Sequence, residues 1–65
     1  MSFKVLIRTE EGITAGELRL ILNKLSKKQY GYKIRCMPMA FEKTVYRPKT
    51  VTIDTEEGFV TLDEI

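Results

Sequence analysis

Ile13-Thr14-Ala15-Gly16-Glu17-Leu18-Arg19-Leu20-Ile21-Leu22-Asn23-Lys24-Leu25-Ser26-Lys27-Lys28-Gln29-Tyr30-Gly31 decides how this chain folds. Thr14 and Glu17 have the spacing of a capping box. The Thr14 hydroxyl accepts from the Glu17 amide, and the Glu17 carboxylate accepts from the Thr14 amide. Ile13 and Leu18 are placed for a hydrophobic staple across that cap. Glu17 also sets negative charge on the positive end of the helix dipole. Lys27 and Lys28 suit a last turn, and Gly31 offers a left-handed C-terminal cap. Together these signals predict a helix from Ala15 to Tyr30. At about 100° per residue, Leu18, Ile21, Leu22 and Leu25 form one apolar stripe, while Arg19, Asn23, Lys24 and Lys27 face away. Leu20 lies opposite the stripe. A single exposed leucine is ordinary; read functionally, it is a contact for a partner or for a second copy of the chain.

Outward from the helix, both flanks alternate. Phe3, Val5 and Ile7 share one face of a strand and Lys4, Leu6 and Arg8 the other, with Leu6 as the exception in polarity. Thr9-Glu10-Glu11-Gly12 is a turn. After the helix, Tyr32, Ile34 and Cys36 alternate with Lys33, Arg35 and Met37. A strand, a helix and a strand suit a right-handed crossover with the two strands parallel, and another strand can lie between them. Pro38 makes Met37–Phe41 a bulge or loop rather than a central strand. Strands are expected again over Glu42–Tyr46, Val51–Ile53 and Phe59–Leu62. They are separated by a turn at Arg47-Pro48-Lys49-Thr50 and a polar loop at Asp54–Gly58. Val45, Val51, Ile53, Val60 and Leu62 are expected to join Phe3, Val5 and Ile7 beneath the helix stripe. The predicted fold is α+β: two layers, a single helix packed on one face of a 4–5-stranded mixed sheet, in the order β-α-β-β-β-β.

Residues 1–65 make one small domain. A chain of this size buries only roughly 60% of the surface it exposes when unfolded. Such a core supplies about 3–5 kcal/mol at best, and a deep walled active site has no room beside it. The chain is 43% hydrophobic and 31% charged, which is a globular composition and excludes general disorder. There is no histidine, so the commonest general base and metal ligand is missing. Cys36 is the only cysteine, which excludes an internal disulfide and a thiolate zinc cluster. It reads as a small buried hydrophobe, because Lys33 and Arg35 point to the opposite side of the strand and no base stands beside it. Glu10-Glu11 and Glu56-Glu57 read as solvated turn carboxylates. No glycine-rich phosphate loop is present. The expectation is therefore no enzyme activity, no cofactor and no metal. No apolar run is long enough to span a bilayer, and no signal pattern opens the chain. An unpaired cysteine suits the cytoplasm.

The formal net charge of +2 hides a segregation. Residues 1–23 are balanced. Residues 24–49 carry Lys24, Lys27, Lys28, Lys33, Arg35, Lys43, Arg47 and Lys49 against Glu42 alone. Residues 50–65 carry five carboxylates and no cation. The basic middle interleaves Tyr30, Tyr32, Phe41 and Tyr46, and cations with aromatics are a recipe for single-stranded nucleic acid or RNA. On that reading Lys27, Lys28, Lys33, Arg35, Lys43, Arg47 and Lys49 are the contacts. The plainer alternative is a solvated face, or one whose charge is cancelled by the acidic strands beside it.

Met37, Met39 and Phe41, with Leu20, are the candidates for protein contact, since methionines adapt to irregular surfaces. The plainer alternative is a loop that closes the open end of the core. The leading expectation is a small non-catalytic protein-interaction or regulatory accessory module whose partner is another protein or a second copy. The alternative is the nucleic-acid binder. No motif names a family; only size and style resemble the small accessory proteins of phages and mobile elements.

Overall fold

A computed structural model of the chain describes residues 3–37 and 46–64. The expected strand at Glu42–Tyr46 and its Val45 lie outside these residues, save Tyr46, which is in irregular backbone. Strand β1 is Phe3–Arg8, helix α1 is Ala15–Asn23, and a single 3-10 turn covers Gln29–Gly31. Strands β2, β3 and β4 are Lys33–Met37, Thr50–Asp54 and Phe59–Asp63. They form a four-stranded mixed sheet in the order β1-β3-β4-β2. β3 is antiparallel to both β1 and β4, and β2 runs parallel to β4. β1 and β2 therefore point the same way with two strands between them, as the crossover argument expects. The fold is small, α+β, with one helix and a mixed sheet.

The helix begins where the capping box sets it. The Thr14 Oγ1 accepts from the Glu17 amide at 3.1 Å, and the Glu17 carboxylate accepts from the Thr14 amide at 2.9 Å. It ends sooner than predicted. The Lys24 amide already reaches back only three residues, to Ile21 O at 3.1 Å, and Leu25 does the same to Leu22. A second box explains why. Ser26 Oγ accepts from the Gln29 amide at 3.2 Å, and Gln29 Oε1 accepts from the Ser26 amide at 3.0 Å. This is the S-x-x-Q form of the same motif; it starts the 3-10 turn and takes the chain out of the α-helix. Gly31 is not left-handed; among the described glycines only Gly12 and Gly58 have positive φ.

The core is Ile21, Val51, Ile53 and Val60, with Leu6, Ile7, Ile13, Leu18, Leu25, Tyr32 and Leu62 packed around it. Leu22 is half-buried. The predicted face of β1 is corrected. The pairing passes from Val5↔Thr52 directly to Ile7↔Val51, leaving Leu6 as the extra residue of a bulge. A bulge changes the phase of the alternation, so Leu6 and Ile7 both reach the core. Phe3 and Val5 fall on the other face of the sheet and are exposed, Phe3 to 54%.

The β3–β4 hairpin closes through Asp54, whose Oδ1 accepts from the amides of Glu56 and Glu57 at 2.9 and 3.0 Å. Gly58, at φ 78°, completes that turn. The segment expected to turn at Arg47-Pro48 instead runs as an irregular strap into β3. Pro48 O accepts from the Ile13 amide and Lys49 O from the Thr9 amide, both at 2.8 Å, while the Lys49 amide donates to Asp63 O at 2.7 Å. The strap thus ties the start of the helix to the sheet.

Candidate functional site

Among the described strands β2 stands at the edge of the sheet, and all five of its residues are exposed. Its inner side is held firmly. Five consecutive pairs, Lys33↔Phe59 to Met37↔Asp63, run without a register shift. The Lys33 amide donates to Gly58 O at 3.1 Å, and Met37 O accepts from the Glu64 amide at 3.3 Å. Since alternate residues of a strand turn their backbone groups to opposite sides, the N–H and C=O of Ile34 and Cys36 point away from β4.

The far end of β2 is locked by Tyr46. Its hydroxyl accepts from the Met37 amide at 3.1 Å and donates to Leu62 O, so one phenol joins the ends of β2 and β4. Burial pushes the Tyr46 phenol above its ordinary pKa, with Cys36, Glu64 and Asp63 adding to the rise and the Met37 hydrogen bond opposing it. The near end is held by Tyr32, which is half-buried, its hydroxyl 3.5 Å from Thr55 O.

The side chains of β2 divide by face. Ile34 and Cys36 stand on the helix side, opposite Val60 and Leu62. Lys33, Arg35 and Met37 stand on the outer face. Arg35 is held there, its guanidinium carbon 4.6 Å from the centre of the Phe59 ring and its Nε donating to Thr61 Oγ1 at 3.2 Å. Ile34 is 56% and Met37 47% exposed. Cys36, expected to be buried, is an exposed free thiol. The core cluster lies over β3 and β4, and β2 stands at its margin, beyond the shelter of a nine-residue helix.

The predicted contact residues are not gathered. Leu20 is 62% exposed on the outer side of the helix, while Met37 lies on the far face of the sheet. Met39, Phe41 and Lys43 lie outside the described residues. Of the remaining cations, Lys27 and Lys28 precede the start of β2, the end at which the Lys33 amide donates to Gly58 O. Arg47 and Lys49 lie at the opposite end of the sheet, where the Lys49 amide meets Asp63 and Arg47 packs over Gly12. Arg35 sits between the two groups. The segment that is basic in sequence is therefore not one basic face.

Two further features complete the surface. A cleft of about 550 Å³ opens between the end of α1 and β1, floored by Leu6, Ile21, Leu25 and Ile53 with Lys4 and Lys24 among its lining. Among the described residues no group of three His, Cys, Asp or Glu side chains is arranged to hold a metal ion, and no helix is long and apolar enough to cross a membrane. Sequence reasoning missed Ile34, Cys36 and Tyr46 as parts of this site. Lys33 and Arg35 on one strand carried a usable signal, because charged residues are a common feature of strands at a sheet edge.

No family model, curated protein or solved structure matches this chain.

Proposed function

We propose that the protein is a non-catalytic protein-interaction module that receives an extended segment of a partner at the outer edge of β2. The observation that carries this reading is the edge itself: a regular strand, fixed at both ends, with outward backbone groups and exposed apolar side chains. Strand addition draws its affinity from such backbone groups and its selectivity from the side chains on either side. The other edge suits the role less, because the bulge in β1 breaks its repeat and bulges blunt edge pairing.

Selection from a displayed random-peptide library tests the reading. Binders are expected to be lost on Ile34→Pro, which removes an outward N–H without touching a hydrogen bond to β4, and to survive Leu20→Asp. Circular dichroism checks that both variants fold, and Cys36→Pro serves if Ile34→Pro does not. A selection without binders, or with binders indifferent to both edge prolines, overturns the proposal.

A nucleic-acid reading draws on fewer groups, chiefly Lys33 and Arg35 beside Phe59. With the remaining cations divided between two ends, labelled oligonucleotides at low salt are expected to bind weakly and with a shallow salt slope. Tight binding with a steep slope that falls on Lys33→Glu would reverse the order of the two readings.

A further inference from the structure

Resting on the reading of β2 as a docking edge, we infer that the segment it accepts alternates carboxylate and apolar residues, and that it belongs to another protein rather than to a second copy of this chain. The strand Lys33-Ile34-Arg35-Cys36-Met37 holds two cations and no acid. Both cations project from the same face, at alternate positions. Residues directly opposite on a neighbouring strand stand about 4.5–5.5 Å away, close enough for side chains to pair. A strand laid along β2 therefore sets one side chain against Lys33 and another, two residues away, against Arg35. Carboxylates there meet opposite charge. The residue between them falls on the helix side, beside exposed Ile34 and Cys36 at the margin of the core, where an apolar group covers apolar surface.

Arg35 is suited to this. Its Nε is committed to Thr61 and its guanidinium carbon lies over the Phe59 ring, so the guanidinium is already held before a partner arrives. A fork held in this way loses less freedom on meeting a carboxylate.

The same charges disfavour the self-pairings centred on Arg35 and on Ile34. An antiparallel β2–β2 pairing about a two-fold centred on Arg35 sets Arg35 against Arg35 of the copy. Centred on Ile34, it sets Lys33 against Arg35 of the copy. Like charges directly opposite are destabilising, and charges on edge strands commonly serve to prevent such pairing.

Three blocked heptapeptides that alternate valine with glutamate, serine or lysine test the inference by fluorescence anisotropy at low and moderate salt. The glutamate peptide is expected to bind roughly tenfold more tightly than the serine peptide, the combined effect of two favourable cross-strand pairs. The lysine peptide is expected to bind most weakly. The double variant Lys33→Glu/Arg35→Glu, checked for folding by circular dichroism, is expected to reverse the order of glutamate and lysine.

Equal binding of all three peptides, abolished by Ile34→Pro, overturns the acidic chemistry and leaves the edge reading standing. Binding that ignores Ile34→Pro, or no binding by any peptide, overturns both. Light scattering that finds a dimer at micromolar concentration, dispersed by Ile34→Pro, assigns the edge to a second copy and overturns the claim of a separate partner.

Discussion

Tyr46 carries more than its place in an irregular segment suggests. Its hydroxyl joins Met37 to Leu62, and burial holds its pKa above the value of about 10 at which an unfolded tyrosine titrates. Its contribution to stability is therefore whole below about pH 10 and is lost as pH rises through the folded value, where the half-buried phenol ionises. Denaturant unfolding of the wild type from pH 8 to pH 11 is expected to show this alkaline loss, and Tyr46→Phe is expected to show less of it and a lower midpoint at pH 8. Leu6 supplies a second test. Leu6→Ala is expected to cost about 2–5 kcal/mol as a core truncation, whereas Val5→Ser on the exposed face costs under about 0.5 kcal/mol. The even alternation of Phe3, Val5 and Ile7 hid the bulge between them. Its one trace in the sequence was Leu6, an apolar residue on the side that the pattern assigned to water. Cys36 was misplaced for a related reason: alternation tells which face a residue takes, but not whether anything covers that face.

At the level of the element, the start of α1 was fully legible and its end was not. The Thr14–Glu17 box is local chemistry, complete within four residues. Thr14→Ala is expected to lower stability by about 1 kcal/mol in a urea titration. The end of α1 is a competition between continuing the helix and opening a second box at Ser26–Gln29, and Lys27, Lys28 and Gly31 spoke for the first. Those two boxes were written in the same alphabet, so the second was open to the same reasoning as the first. Just before the helix, Gly12 is held at φ 100°, and a Cβ there would stand 2.9 Å from the Cγ of Arg47. Gly12→Ala is expected to cost more than about 1 kcal/mol, since it adds backbone strain to a steric contact. A thermal melt of that variant also reports on how firmly the 46–49 strap is seated.

For the whole molecule, the two-layer architecture followed from period and turn residues alone, because a four-strand sheet with one amphipathic helix has few ways to bury its apolar faces. Strand order did not follow. Lys33 and Arg35 suit a strand at a sheet edge, but nothing in Lys33–Met37 says that β4 rather than β1 will lie beside it. The basic run was plain in sequence, yet the crossover places its two ends at opposite ends of the sheet. Among the described residues the buried apolar side chains of the sheet are Val51, Ile53 and Val60. Ile53→Ala is expected to cost about 2–5 kcal/mol. That is comparable with the ~3–5 kcal/mol such a core provides, and a largely unfolded far-ultraviolet spectrum at 37 °C is the result that checks it.

The order β1-β3-β4-β2 also fixes a timetable. Among the described strands β1 bonds only to β3 and β2 only to β4, so the two strands made first are the two that cannot bond to each other. At translation rates of about 5–20 residues per second, β2 leaves the ribosome on the order of seconds before the strand that will shield its inner side. During that interval both edges of this basic segment are unpaired. Force-sensing arrest measurements along the nascent chain are expected to register no folding until Asp63 has cleared the exit tunnel.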